Sequence, residues 1–141
     1  MMNRTQNYNL CQWEAADKIQ RVDFNADNVK IDAALGDKLR LVVGRYQGTG
    51  TYGPDHPTVI EVPGAERPPR LIIVSEENDY RHAILFRGVT EAVVYETAGA
   101  YPVHATWTDE GVKFYSDEAD FKQLNYDRTD EDYFYRYAVF I

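Results

Sequence analysis

Two runs of carboxylates are the nearest approach to a chemical site in this 141-residue sequence. Residues 117–120 (DEAD) and 127–132 (DRTDED) hold seven acidic side chains, and carboxylates on loops are ligands that Ca²⁺ accepts in proteins. Their spacing does not match an EF-hand loop, and acidic loops that simply face solvent are common. A calcium site therefore stays open as an alternative, whereas the sequence predicts a solvated loop and assigns no metal ligand.

Motifs for catalysis are missing from the sequence. The glycine-rich segment 48–50 lacks the Lys-Ser/Thr pair of a phosphate-binding loop, and neither Ser75 nor Ser116 lies in a nucleophile-elbow pattern. The three histidines are far apart in sequence, and the single cysteine, Cys11, excludes a disulfide within the chain. A glycosidase needs two carboxylates on opposite sides of the sugar. This sequence contains so many acidic pairs that none can be assigned to that role. We therefore expect a protein that is not an enzyme and that binds no cofactor.

Two segments carry residue types that suit carbohydrate binding. Residues 76–82 are polar and rich in hydrogen-bonding groups, and residues 98–102 form a glycine-containing loop with one aromatic side chain. An aromatic ring packs on the C–H face of a sugar, while polar side chains bind its hydroxyl groups. The candidate ligand-binding residues are Asp79, Tyr80, Arg81, His82 and Tyr101. The alternative is that both segments are ordinary hairpin loops.

The distribution of charge excludes several kinds of partner. Residues 76–141 hold fourteen acidic and six basic side chains, so the whole net charge of −8 lies in that half. An acidic surface repels nucleic acid and anionic membranes, so we expect neither as a partner. No apolar run reaches the roughly 18 residues that a transmembrane helix needs. Because residues 1–11 lack the apolar region of a secretory signal, we expect synthesis in a cytoplasm without a signal peptide.

From residue 38 onward, short β-type runs alternate with turn clusters. We predict eight strands, at residues 39–46, 58–62, 70–75, 83–87, 92–96, 104–107, 112–115 and 133–141. Strands at this spacing without intervening helical periods indicate an antiparallel β-sandwich or jelly-roll. The fold class is therefore mainly β, with residues 38–141 as a β-sandwich head domain. Leu71 to Val74 is continuously apolar, which predicts a central strand covered on both faces.

Residues 1–37 differ from the head and predict an extended attachment arm followed by a helix of about twelve residues that serves as a stalk. Asp23 is a good N-cap, and Gly36 suits the left-handed position that ends a helix. The 4-3-4 spacing of an a/d-type seam links Phe24, Asn28, Ile31 and Leu35. A helix this short must bury its apolar stripe, either on its own head or against other copies. Since a seam Asn can fix register and strand number, we favour self-association through these four residues.

The order of several motifs resembles that of prophage-encoded tail proteins. Residues 23–28 (DFNADN) and 30–35 (KIDAAL) look like the start of such proteins. Residues 43–50 (VGRYQGTG), followed by 69–74 (PRLIIV), resemble the opening of tail-fibre head domains. The ending fits as well, in the segments 111–116 (GVKFYS), 123–125 (QLN) and 133–139 (YFYRYAV). The sequence departs from the pattern at Phe114, where a Trp is expected, at Arg136, which interrupts the aromatic run, and in the acidic residues 127–132.

This resemblance implies a component of a phage virion, at or near the tail tip, that is commonly trimeric. It implies attachment to other tail proteins through the N-terminal arm and contact of the head with a host-surface glycan or protein. A weaker similarity is to H-type lectins, which share a proline-led apolar strand and an aromatic final strand that ends near an Ala. H-type lectins are trimeric sandwiches that bind amino sugars. The alternatives are an architectural tail or baseplate protein without a ligand, a lectin-like carbohydrate-binding module, and a small cell-wall hydrolase or its accessory.

Overall fold

The computed structural model describes residues 3–78 and 80–141, and the chain divides after Leu39 into two compact units. The first unit contains strands β1 (Asn3–Arg4) and β2 (Cys11–Gln12) and helix α1 (Arg21–Gly36). The two strands pair antiparallel around a turn in which Asn9 adopts a left-handed φ of 54°. The arm predicted as extended is therefore partly a hairpin.

Helix α1 is tied to this hairpin by a buried carboxylate. Asp27 accepts a hydrogen bond of 2.6 Å from the backbone N–H of Cys11, and this bond is the main reason that its pKa is lowered. Lys30 pairs with Asp27 at 3.2 Å and donates to the carbonyl of Asn9 at 2.7 Å. Asp27 and Lys30, one turn apart on the helix, therefore hold the hairpin turn against one side of α1.

The ends of α1 differ from the predicted ones. The N-cap is Gln20, and Asp23 lies inside the first turn. Asp23 therefore does not cap the helix, but its negative charge interacts favourably with the helix dipole. At the other end the backbone N–H of Asp37 donates to Ala33, and Gly36 remains part of the helix. The helix consequently has 16 residues, longer than the sequence pattern indicated.

Residues 40–141 fold into an antiparallel sheet of eight strands. The strands are β3 (Leu41–Tyr46), β4 (Thr58–Glu61), β5 (Leu71–Glu76), β6 (His82–Phe86), β7 (Glu91–Glu96), β8 (Gly99–Trp107), β9 (Gly111–Tyr115) and β10 (Tyr135–Phe140). Their order across the sheet is β3-β10-β5-β6-β7-β8-β9-β4. The prediction of a mainly β, antiparallel protein is confirmed, and each predicted strand overlaps an observed one.

One strand begins earlier than the sequence suggested. β8 starts at Gly99, so Tyr101 lies in a strand and not in a flexible loop. Its pairing with β7 extends from Glu91↔His104 to Glu96↔Gly99, which gives the backbone of this Gly- and Pro-containing segment hydrogen-bond partners. Pairing within the β7–β8 hairpin has overridden the turn signal of these residues.

The sheet is curled, and its two edge strands meet the same short segment. Tyr46, at the end of β3, donates its O–H to the carbonyl of Leu124, and Thr58, at the start of β4, donates to the carbonyl of Gln123. The buried Gln123 side chain accepts from the backbone N–H groups of Gly53 and Ser116. Residues 123–125 thus connect both edges of the sheet to the glycine-rich loop between them.

Gly48 is required at this connection because a side chain does not fit. A Cβ atom at residue 48 would lie 2.0 Å from the carbonyl oxygen of Tyr126. Inside the curl, inward residues of the strands and Leu124 form the core, and its largest fully buried apolar side chains are Ile60, Ile72, Val74, Leu85, Val94, Val103, Val112, Phe114, Leu124, Tyr135 and Val139. Burial of each such aliphatic or aromatic side chain contributes about 1.5–3 kcal/mol to folding.

Candidate functional site

Arg81 lies at the centre of a polar cluster in the head. It precedes β6, and its carbonyl accepts from the backbone N–H of Glu76 at the end of β5. Its guanidinium donates to the carboxylate of Glu76 at 2.9 Å and to that of Glu96 at 2.8 Å. Glu76 is only 2% exposed, so its carboxylate requires a cation beside it. Arg81 is therefore fixed in place by two carboxylates from strands β5 and β7.

Tyr101 joins the same cluster through the other oxygen of Glu96. The two residues lie on β7 and β8 near the hairpin between these strands, and the Tyr101 hydroxyl donates to the Glu96 carboxylate. This hydrogen bond, followed by the hydrogen bond from Arg81 and then the charge of Arg81, holds the pKa of Glu96 below its ordinary value. The same bond, together with burial, raises the pKa of Tyr101.

Aromatic rings and cations surround this ion-pair network. Phe121 lies in the 3₁₀ turn Phe121–Gln123, and its ring contacts that of Tyr101 edge-on with centroids 6.0 Å apart. The guanidinium carbon of Arg81 lies 5.1 Å from the centre of the Phe121 ring. The ammonium group of Lys122 lies 4.6 Å from the centre of the Tyr101 ring. Such cation–π contacts contribute about 0.5–1 kcal/mol each at exposed sites.

An open cavity of about 170 Å³ lies beside this network, lined by Arg81, Phe121, Tyr126 and Arg128. Tyr126 is 45% exposed. Arg128 packs on the ring of Tyr133 with its guanidinium carbon 4.7 Å from the ring centre, while Glu131 is 3.8 Å away. An aromatic face and two guanidinium groups at one cavity suit a ring-shaped ligand that carries hydroxyl or anionic groups.

The predicted ligand-binding residues fall in different places. Arg81 and Tyr101 share Glu96, and the ring of the exposed Tyr80 lies 5.2 Å from the Arg81 guanidinium carbon. His82 lies elsewhere, because it points outward from β6, where its ring stacks on that of Tyr95 at 5.8 Å. Asp79 lies outside the described residues.

Sequence reasoning missed the residues from the acidic half that complete the cavity, namely Phe121, Tyr126 and Arg128. A signal was present, since an aromatic residue lies next to or two positions from a basic one in Phe121-Lys122 and Tyr126-Asp-Arg128. The excess of carboxylates around these pairs masked it. Long-range pairing, which the sequence does not show, brings the segment to Arg81.

Several acidic residues of this segment have local structural roles. Asp120 accepts a hydrogen bond of 2.7 Å from the backbone N–H of Phe121 and so caps the 3₁₀ turn. Asp127 accepts from the backbone N–H and the hydroxyl of Thr129, and these bonds lower its pKa. Among residues 3–78 and 80–141, no three His, Cys, Asp or Glu side chains are grouped as a metal site would require.

The four residues of the helix seam are exposed on α1. Phe24, Ile31 and Leu35 are 55%, 41% and 57% exposed, and Asn28 lies among them. Ile31 and Leu35, together with Tyr8 from the hairpin turn, line a small cleft of about 90 Å³. The sequence pattern did not single out Val22 and Val29, which are also exposed and lie on the opposite side of the helix.

Comparisons with protein families, with curated proteins and with solved structures found no match to this chain. In the part of the chain that the structure describes, no helix has the length and apolar character needed to cross a membrane.

Proposed function

We propose that this chain is a phage tail protein, a homotrimeric module of a fibre tip that attaches to the tail by its N-terminal arm and contacts the host surface with its head. The cavity lined by Arg81, Phe121, Tyr126 and Arg128 is the observation that carries host contact. The assignment to a phage tail rests on the resemblance of the ordered motifs. The protein then belongs to the virion and acts outside the cell in which it is made.

A host-surface glycan is the ligand that best fits the cavity. Tyr126 is 45% exposed and can offer apolar ring surface to the C–H side of a sugar, whereas the ring of Phe121 is in contact with Arg81. The guanidinium groups of Arg81 and Arg128 can donate to hydroxyl or carboxylate oxygens. Because Arg81 is already held by Glu76 and Glu96, it needs little reorganisation when a ligand binds.

The helix seam supports the trimer. Phe24, Asn28, Ile31 and Leu35 repeat at a/d spacing, and all four are exposed on α1. A stalk formed by three copies of α1 would bury this stripe.

For the head we propose the finer description of a jelly-roll-type sandwich like that of H-type lectins, in which the curl of the sheet brings two halves face to face. The curl produced by residues 123–125 supports this description.

Glycan-array binding and adsorption of the full chain to host cells test the host-contact role. Tyr126→Ala and Arg128→Ala are expected to reduce binding about tenfold or more, since each removes a wall of the cavity. Tyr52→Ala is the matched control, because Tyr52 is exposed to a similar extent (47%) and does not line the cavity. Wild-type protein that binds neither glycans nor host cells would instead identify a purely architectural tail component.

A further inference from the structure

The outward surface of strands β3, β10, β5 and β6 is unusually apolar. Strand pairing aligns its side chains in three rows that each cross the four strands. The first row is Leu41, Phe140, Leu71 and Phe86; the second is Val43, Ala138, Ile73 and Ile84; the third is Arg45, Arg136, Ser75 and His82. We name these twelve positions the apolar outer face. Its first two rows contain no polar side chain.

The size of this face is that of a contact surface. Strands lie about 4.8 Å apart and alternate residues about 7 Å apart, so the eight apolar positions of the first two rows cover on the order of 270 Å² before the height of the side chains is counted. Val43 is 70% exposed, Phe86 58%, Leu41 56% and Ile84 43%. The largest continuous apolar patch on a soluble monomer has an area of this order and is often a functional surface.

The apolar outer face has a depression on one side and protruding side chains on the other, so two copies of it have complementary shapes. Beside the small side chain of Ala138 lies a depression of about 500 Å³, with Val43 and Ile73 among its walls and Arg45 and Arg136 at its end. On β6, at the other side of the face, Ile84 and Phe86 are exposed. A second copy can therefore place its β6 side chains in the depression and offer its own depression to a third copy. Such a head-to-tail contact closes into a ring when the rotation between copies permits.

Charge also favours a second copy at this surface. Residues 40–141 contain seventeen acidic and ten basic side chains, whereas the apolar outer face contains no carboxylate. Contact between two heads through acidic surfaces brings like charges together, and this face avoids that cost. Its arginines are oriented within the copy, since Arg136 pairs with Glu77 at 2.9 Å and Arg45 packs on Phe134 with its guanidinium carbon 4.1 Å from the ring centre.

The chain connection favours the same partner. Only Asp37, Lys38 and Leu39 lie between the end of α1 and Arg40, which pairs with Ile141 beside β3. Three residues span at most about 11 Å. Helices that associate through their seams would hold the heads at an effective concentration of about millimolar, where even a weak contact is occupied.

We propose that the heads of neighbouring copies contact each other through the apolar outer face, with Ile84 and Phe86 of one copy in the depression beside Ala138 of the next. This inference rests on the proposed trimer and adds to it a second interface, located in the heads. The trimer is thereby held at two places, the seam of α1 and the apolar outer face.

Sedimentation equilibrium of the full chain tests the interface with a matched pair of variants. Val43→Glu introduces a carboxylate into the apolar outer face and is expected to weaken trimer formation at least about tenfold. Val59→Glu is the control, because Val59 is an outward residue (45% exposed) on β4, the opposite edge strand, and it should leave the mass unchanged. Equal trimer stability in the two variants would overturn the head interface and leave the seam and the proposed function intact.

Thiol labelling gives a readout that does not depend on a change in mass. In a Cys11→Ser background, Val43→Cys should react with maleimide at least about tenfold more slowly in the trimer than Val59→Cys. Ile31→Glu at the seam, diluted until the protein is monomeric, should restore fast labelling of residue 43.

Equally fast labelling at both positions in the trimer argues against the interface. Slow labelling that persists in the monomer would show that the chain covers the face itself, which also contradicts the proposal. A monomeric wild type at micromolar concentration would refute the trimer itself.

Discussion

The two outer surfaces of the same curled sheet have opposite character. Strands β3, β10, β5 and β6 present the apolar outer face, whereas β8, β9 and β4 present a mixed surface. Pairing on that second surface places His104 beside Glu91 and Tyr115, and Lys113 between Thr106 and Val59. His104 also lies 2.8 Å from the carboxylate of Asp117. We name these outward side chains of β8, β9 and β4 the polar outer face.

The inner surfaces of both halves are alike, so the core does not explain this difference. Ile72 and Val139 on one side are as fully buried as Val112 and Phe114 on the other. In an antiparallel sheet one face packs on the core while the other faces water, and the polar outer face follows that rule. The apolar outer face breaks it, and the break points to a surface that another copy covers.

The largest effect is expected on β5, where inward and outward residues of the same type are adjacent. Ile72→Ala removes a fully buried side chain and should lower the free energy of unfolding by about 2–5 kcal/mol. Ile73→Ala, on the half-buried outward side, should cost less in unfolding and act mainly on association. Urea denaturation and sedimentation of the two variants measure these effects separately. An equal loss of folding stability would mean that the outward side of β5 is already a closed core within one copy.

A smaller effect is expected where the two halves are tied together. Gln123→Ala leaves the backbone N–H groups of Gly53 and Ser116 without their acceptor, which should cost about 1–3 kcal/mol for the buried groups. Glu118→Ala is the neighbouring control, because the pair of Glu118 with Lys122 is partly solvated and contributes about 0.2–1 kcal/mol. The urea midpoint measures both. If the two variants lose the same stability, the amide does not hold the edges of the sheet together.

Much of the fold could be predicted from the sequence because strand signals are local. The apolar run in β5 and the Asp-Glu-Gly turn between β8 and β9 identify their elements without any knowledge of the rest. The apolar outer face could not be read in this way, since it depends on pairs such as Leu41 with Phe140, which are far apart in sequence. Alternation shows that a strand has two sides, but it does not show which strands lie next to each other.

The candidate site was predicted in part for the same reason. Arg81 and Tyr101 were singled out by residue type, and the structure joins them through Glu96, a residue the sequence did not single out. Phe121 and Arg128 lie in a segment whose composition indicated only a solvated acidic loop. Asp120 caps the 3₁₀ turn that carries Phe121, whereas the contact of Phe121 with Arg81 joins residues 40 positions apart in sequence.

The smallest of the three effects is expected at the polar network between β7 and β8, and it depends on pH. The Tyr101 hydroxyl is the main reason that the pKa of Glu96 is lowered in the folded protein. Folding thus favours the ionised Glu96 carboxylate, which adds to the free energy of unfolding. This contribution is complete above the ordinary glutamate pKa of about 4.3 and is lost as the pH falls through the lowered pKa of the folded protein. Tyr101→Phe should raise the Glu96 pKa towards its ordinary value, so the variant is less stable near neutral pH and loses less stability during acid titration, because the folded and unfolded pKa values then lie closer together.

Carbon-detected NMR titration of the glutamate carboxyl groups measures that pKa directly, and urea denaturation between neutral and acidic pH measures the linked stability. Tyr115→Phe is the control, because Tyr115 packs against His104 on the polar outer face with ring centres 4.9 Å apart.

The apolar outer face has no carboxylate among its twelve positions, so Val43→Ala should leave the low-pH profile of the monomer unchanged. If Val43→Ala shifted the profile as Tyr101→Phe is expected to, acid sensitivity would belong to both halves of the sheet. The contrast between the two outer faces would then not extend to their electrostatics.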